Sequence, residues 1–258
     1  MNFYNKVALI TGAAQGIGKT VAESLAKKGA TVALLDINTE ALETLESELL
    51  TAGYKASIYT VDIGNSHQVN EAITCIESQL GPIDMLVNVA AILRMGNLTE
   101  LSDNDWNATL TTNTTGFFNT CRVIGKLMKE RRQGVIVNVS SNAAKTPRTG
   151  MGAYAASKAA ISQLTRCLGL ELAEYGIRCN LVSPGSTDTP MQRILWTDDT
   201  MPEQILKGSP ESYRLGIPLQ KIATPQDIAN TILFLLSDDA GHITMEEITV
   251  DGGATLGV

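Results

Sequence analysis

Histidine is nearly missing from the chain, which has two, His67 and His242. That leaves little raw material for a histidine-based metal site or for a Ser-His-Asp triad, so no metal ligand set is expected. The four cysteines, Cys75, Cys121, Cys167 and Cys179, include no C-x-x-C pair and read as free thiols in a reducing cytosol. No apolar run reaches the ~18 residues of a membrane span. The opening MNFYNKVALITG has no basic region ahead of a signal-length apolar stretch, so a cytoplasmic protein is expected. Positive charge is not in excess either. A net charge of −7 argues against nucleic-acid partners and against docking on anionic membranes. Linkers, internal repeats and low-complexity tracts are missing as well, which predicts one domain over residues 1–258. What is present, 44% hydrophobic and 18% charged residues, suits a folded domain with a sizeable core and excludes a disordered chain.

Short apolar runs alternate with longer helical patterns. Strands are predicted at Val7–Ile10, Thr31–Leu35, Ser57–Val61, Met85–Val87, Val135–Val139, Arg178–Val182 and Glu247–Val250. Between them, helices are predicted at Ile17–Lys28, Thr39–Thr51, His67–Gln79, around Trp106, and at Phe117–Lys129, Ala155–Glu174 and Pro225–Leu236. The apolar runs are continuous rather than alternating, as in strands buried on both faces. Repeated strand–helix–strand units imply an α/β fold, a single doubly wound parallel sheet of the Rossmann type with helices on both faces. The stretch from Pro184 to about Gly216 breaks the alternation. So long an irregular connection reads as a substrate lid, at about residues 186–216.

The first strand runs straight into Thr11-Gly12-Ala13-Ala14-Gln15-Gly16-Ile17-Gly18. Glycines at this turn permit close backbone approach to a pyrophosphate, and the following helix offers free N–H groups and its positive dipole end. Gly12, Gln15, Gly16, Ile17 and Gly18 are therefore candidate cofactor-binding residues. The spacing is G-x-x-x-G-x-G, and alone it also suits an ordinary glycine-rich turn. The second strand ends at Asp36, eighteen residues after Gly18. A carboxylate there can accept hydrogen bonds from both ribose hydroxyls of NAD and would repel a 2′-phosphate. With no basic residue at Ala13, Ala14 or Ile37, NAD is expected over NADP. Asp62 and Ile63 close the third strand, and Asn88-Val89-Ala90-Ala91 closes the fourth. Ligands of open α/β sheets bind at such carboxyl ends, which adds Asp62, Ile63, Asn88 and Ala90 to the cofactor candidates.

Tyr154-Ala155-Ala156-Ser157-Lys158 places a phenol and an ammonium one helical turn apart. A nearby ammonium favours the phenolate, so a lowered Tyr154 pKa and a role as general base are expected. By itself a Y-x-x-x-K pair is common by chance. Here it follows Ser141 by thirteen residues, at a strand end that can meet the helix start over one alcohol. With these motifs together the chain resembles the short-chain dehydrogenase/reductase family over essentially its whole length. The resemblance implies that Ser141, Tyr154 and Lys158 are catalytic. It makes Asn113 the asparagine that holds a water relay behind the lysine. It also implies that Tyr154 and Lys158 contact the cofactor, that Pro184 and Gly185 receive the nicotinamide, and that Thr189 lies near its carboxamide. The family's usual N-N-A-G is here Asn88-Val89-Ala90-Ala91, so the glycine is missing. A homotetramer built on the two long helices Phe117–Lys129 and Ala155–Glu174 is also implied.

Further segments resemble one branch of that family. They are Ile92–Gly96, Thr146-Pro147-Arg148, Ser183–Thr189, Met191-Gln192-Arg193 with Trp196, Leu215–Leu219 and the ending Gly241–Gly253. That branch oxidises a carboxylated cyclohexadiene diol, whose ketone then enolises to the catechol acid of siderophores. A small anionic substrate needs a cation, and arginine forks pair well with carboxylates. Arg94, Arg148 and Arg193 are the candidates, Arg148 foremost, with Ser141 and Met191 beside the ring. Alternatives with the same fold are a 3-oxoacyl carrier-protein reductase, a sugar or steroid dehydrogenase, and a non-catalytic NAD sensor.

Overall fold

The computed structural model describes residues 1–196 and 203–257. Its strands are β1 (Val7–Thr11), β2 (Thr31–Asp36), β3 (Ala56–Thr60), β4 (Ile83–Asn88), β5 (Val135–Val139), β6 (Arg178–Pro184), β7 (Gly208–Ser209), β8 (Arg214–Leu215) and β9 (Glu247–Val250). Its α-helices are α1 (Gly16–Lys27), α2 (Thr39–Thr51), α3 (Ser66–Gln79), α4 (Asp103–Leu110), α5 (Phe117–Arg131), α6 (Gly152–Leu172), α7 (Pro190–Arg193), α8 (Glu203–Lys207) and α9 (Pro225–Leu236). The main sheet has seven strands in the order β3-β2-β1-β4-β5-β6-β9. All its pairings are parallel.

The continuous apolar runs have a simple cause. Side chains alternate faces along a strand, and here both faces are covered. Ala8 and Ile10 of β1, with Val32 and Leu34 of β2, pack into a core shared with α1, α2 and α9. Val7, Leu9, Ala33 and Leu35 of the same strands pack into the opposite core with α3, α5 and α6. Helix starts are fixed by side-chain caps. Asn38 accepts from the Ala41 N–H, Asn65 from His67 and Gln68, and Ser102 from Asp105. Thr224 forms a capping box with Asp227, ahead of Pro225 in the first turn. Between α4 and α5 the chain makes a π-helical stretch, Thr111–Gly116, which carries Asn113.

The expected elements are found with shifts of at most three residues at their ends. The segment after β6 is less irregular than expected. It holds α7, α8 and the small antiparallel β7–β8 ribbon. Residues 197–202, inside the expected lid, lie outside the described residues. Strand order reverses between β1 and β4, which opens a crevice at their carboxyl ends. Among the described residues, no helix is long and apolar enough to cross a membrane.

Candidate active site

A cleft of about 570 Å³ occupies that crevice. One end is made by backbone. Gly12 sits at φ +67°, and a Cβ there would come within 2.7 Å of the Ala90 backbone. A Cβ at Gly18 would lie 2.0 Å from the Gly12 carbonyl oxygen. Neither position accepts a side chain, so the turn is held tight against β4. Helix α1 begins there with Gln15 at its N-cap position. No side-chain bond caps it, and its first turn holds no acidic residue. Its free N–H groups and positive dipole end therefore face the cleft, a ready seat for a phosphate group. Gly12, Gln15, Gly16, Ile17, Asp36, Asp62, Ile63, Ala90, Pro184, Gly185 and Thr189 all line the cleft.

Asp36 is held by two backbone donors, with Ala14 N–H on Oδ2 (3.2 Å) and Asn38 N–H on Oδ1 (3.1 Å). Two cofactor candidates have a different placement. Gly18 does not line the cleft, and its lack of a side chain serves the close packing of the turn. Asn88 is buried beneath the cleft floor. Its Oδ1 accepts from Thr120 Oγ1 (2.9 Å) and its Nδ2 donates to Asn138 Oδ1 (3.1 Å). Thr11, whose hydroxyl lies 3.4 Å from Asn88 Oδ1, accepts from the Val89 and Ala90 N–H groups and fixes the end of β4. Asn88 thus belongs to a network of side chains under the strand ends. Ala91 is not among the described residues with positive φ, so the missing family glycine costs no backbone strain.

The other end of the cleft is made by long side chains. Ser141 follows β5, while Tyr154 and Lys158 stand one turn apart at the start of α6, and all three line the cleft. The Ser141 hydroxyl accepts from the Ala143 N–H at 3.1 Å and also hydrogen-bonds Tyr154. Lys158 is almost fully buried, with Nζ donating to the Val139 carbonyl at 2.9 Å and lying 5.6 Å from the centre of the Tyr154 ring. Burial pushes Lys158 down to about 7. Burial pushes Tyr154 up to about 12, and the bond from Ser141 offsets only part of this. The expected lowering of the Tyr154 pKa is therefore not found. Part of the Tyr154 ring faces the cleft, but desolvation outweighs the neighbouring ammonium, because the same burial discharges that ammonium.

Asn113 lies behind this pair and outside the cleft lining. Its Oδ1 accepts from the Ile92 N–H (2.8 Å), and its Nδ2 donates to the Ile92 carbonyl (3.0 Å) and to Ser157 Oγ (3.0 Å). Ser157 in turn donates to the Tyr154 carbonyl at 2.7 Å. The π-helical stretch is thereby tied to the loop after β4 and to the first turn of α6. Ser157 was not singled out in the sequence, and a serine inside Y-x-x-x-K gives no signal of its own.

The three arginines separate clearly. Arg94 is exposed and lies 3.7 Å from Asp105, away from the cleft. Arg193 forks onto Asp188, at 2.7 and 3.0 Å, and covers the Trp196 ring. It too is absent from the cleft lining. Arg148 lines the cleft with Met151 and Met191. Burial pulls its guanidinium below the usual range, with Asp251 opposing. Asp251 is itself engaged by Thr255, Asn142 and Gly253. A further arginine, Arg214 of β8, lines the same cleft. No apolar periodicity or motif marked it, because it sits in a two-residue strand after an irregular stretch.

A family model described as enoyl-(acyl carrier protein) reductase matches residues 12–255. The chain belongs to the short-chain dehydrogenase/reductase family. It is 55% identical to the 2,3-dihydro-2,3-dihydroxybenzoate dehydrogenase of Bacillus subtilis, over 98% of this chain and 97% of that protein. It is 44% identical to the vibriobactin-specific 2,3-dihydro-2,3-dihydroxybenzoate dehydrogenase of Vibrio cholerae, over 99% of this chain and 98% of the relative. A solved structure of 7α-hydroxysteroid dehydrogenase complexed with NADH and 7-oxo glycochenodeoxycholic acid superposes with a TM-score of 0.90 at 31% identity, covering 98% of this chain and 95% of the other. This family member is an oxidoreductase and takes a nicotinamide cofactor.

Proposed function

We propose that the protein oxidises 2,3-dihydro-2,3-dihydroxybenzoate to 2,3-dihydroxybenzoate with NAD, in the biosynthesis of a catecholate siderophore. The observation that carries the reading is the meeting of Ser141, Tyr154 and Lys158 with Arg148 in one cleft. The relatives of that name support the substrate. Asp36 supports NAD, since its fixed carboxylate would repel a 2′-phosphate.

The glycine turn and the start of α1 hold the pyrophosphate, and Asp36 holds the adenosine ribose. Asp62, Ile63 and Ala90 border the adenine side, while Pro184, Gly185 and Thr189 border the nicotinamide. When bound, the nicotinamide supplies the hydride acceptor at its C4. Ser141 hydrogen-bonds the C3 hydroxyl of the substrate and orients it. Tyr154 takes the hydroxyl proton as the hydride leaves the same carbon. Lys158 holds the nicotinamide ribose beside Tyr154, while Asn113 and Ser157 keep the start of α6 in place. The resulting ketone enolises to the aromatic ring, which draws the reaction forward. Arg148 binds the substrate carboxylate, and Met191 packs on the ring.

The homotetramer is supported by the apolar groove between α5 and α6, where Phe118 and Leu164 are exposed. The reading is tested by mixing purified protein with the dihydrodiol acid and NAD or NADP. NADH absorbance is expected, with a marked preference for NAD. NAD binding without turnover would indicate a sensor instead.

A further inference from the structure

Arg214 and Arg148 reach the same cleft from separate loops. Arg148 stands between Ser141 and Tyr154, and Arg214 comes from the ribbon after α8. Neither forms an ion pair with an acidic residue among the described residues. Arg214 is anchored on one side, with Nη2 donating to Ser186 Oγ at 3.0 Å. That bond aims the guanidinium but leaves its charge uncompensated. The two arginines are close enough to repel, and burial together with Arg148 draws the Arg214 guanidinium below its usual range. Asp251, the carboxylate whose charge acts on Arg148, already accepts from Thr255, Asn142 and Gly253. Gln192, which also lines the cleft, keeps a buried side-chain N–H2 with no hydrogen-bond partner among the described residues. A half-buried pair of like charges beside an unused donor is unfavourable in the protein alone and becomes favourable around an anion.

We propose that Arg214 is the second half of the carboxylate site, forming with Arg148 a guanidinium pair that binds the two carboxylate oxygens of a ring acid. The inference rests on the proposed reaction for the identity of that acid. It makes Arg214 a specificity-determining residue, with Ser186 as its positioning partner. The ring is thereby held by its acid group from two sides, and the hydroxyl facing Ser141 and Tyr154 is selected by its distance from that group. A neutral ring alcohol loses this selection.

The test compares NAD-loaded wild type with Arg214→Gln and Arg214→Lys. Affinities for 2,3-dihydroxybenzoate and for catechol, the same ring without the acid, are measured by calorimetric titration. Arg214→Gln is expected to weaken 2,3-dihydroxybenzoate by about tenfold or more and to leave catechol unchanged. Arg214→Lys is expected to recover part of the loss, because the charge returns without the fork. The ligand-free melting temperature of Arg214→Gln is expected to stay level or rise as the repulsion is relieved. An unchanged affinity for 2,3-dihydroxybenzoate overturns the proposal, as does an equal loss for both ligands. A fall in NAD affinity instead would assign Arg214 to the cofactor's pyrophosphate and overturn it too. Turnover of the dihydrodiol acid by wild type is scored separately. Its absence would sink the proposed reaction, while the contrast between acid and catechol would still decide Arg214.

Discussion

The two ends of the cleft are built from different materials. At the glycine-turn end the walls are backbone, namely a turn so close to Ala90 that a Cβ on Gly12 would lie 2.7 Å from its backbone, an uncapped helix start, and a carboxylate already held by two N–H groups. Little there is strained by charge. At the other end the walls are side chains whose charges the protein does not satisfy. Lys158 is almost fully buried on one carbonyl, and Arg148 and Arg214 repel each other. The backbone end is set by packing and is ready before any ligand arrives. The side-chain end stores unfavourable electrostatics that a cofactor and an anion can relieve. Changes at the first end should therefore alter cofactor choice mildly, whereas changes at the second should alter chemistry strongly and can even stabilise the fold.

The largest effect is expected from Tyr154→Phe, which removes the proposed proton acceptor and leaves the ring. Turnover should fall by about 10²–10⁴-fold, with NAD affinity kept. Steady-state NADH production and NAD titration separate the two. The pH profile sharpens the point. With Tyr154 pushed up to about 12 and Lys158 down to about 7, the deprotonated base is scarce at neutral pH. Oxidation by wild type should therefore climb with pH into the alkaline range. The residual rate of the variant should not follow that climb. Next comes Arg148→Ala, which should raise KM for the dihydrodiol acid about 10–100-fold, the size of a lost charge-assisted contact. An equal rise for a neutral cyclohexanol would remove Arg148 from the carboxylate site.

These two ends also differ in how far they could be read from the sequence. Backbone-made features leave marks at fixed spacing. Gly12, Gly16 and Gly18 after an apolar run, and Asp36 at the end of the next, announced the turn because only certain residues permit that geometry. The parallel sheet was legible for the same reason, since runs such as Val7–Thr11 bury both faces. Asn88 misled because a polar residue at a strand end looks the same whether it faces the ligand or the sheet beneath. Side-chain sites depend on which charges remain unpaired, and sequence does not display pairing. Arg148 was foremost, but Arg94 and Arg193 stayed candidates beside it until Asp105 and Asp188 were seen next to them. Arg214 carried no signal, because its position depends on a two-residue ribbon and on Ser186. The Tyr154–Lys158 pair was legible in place but not in charge, since burial is a property of the surroundings.

A smaller effect is expected at the backbone end. Asp36→Asn keeps an acceptor for one of the Ala14 and Asn38 N–H groups, loses the other, and removes the negative charge. NAD preference over NADP should fall about tenfold, mainly through better NADP use, with kcat for the NAD reaction changed little. Measured kcat/KM ratios for the two cofactors check this. A collapse of kcat with NAD would mean that the two ends are not separable as described.

The smallest effect tests the stored electrostatics directly. Lys158→Met should be inactive yet more heat-stable at neutral and lower pH. Lys158 is depressed from an ordinary 10.5 to about 7 in the folded protein. Between those values the unfolded chain holds a proton that the folded protein has released, so wild-type stability rises with pH across that window. Below about 7 the lysine is charged in both states, and the folded protein carries the full penalty of a buried ammonium with one carbonyl partner. Methionine has similar length and no charge. Losing the bond to the Val139 carbonyl costs about 1 kcal/mol, less than burying the ammonium. A net gain of about 1 kcal/mol, roughly 2–4 °C in Tm, is therefore expected below neutral pH. The advantage should shrink as pH rises toward the ordinary lysine value, because wild type then sheds its penalty and the variant has nothing to shed. Thermal melts across that range decide it. A variant less stable than wild type at every pH would mean that the lysine end of the cleft is not the strained one.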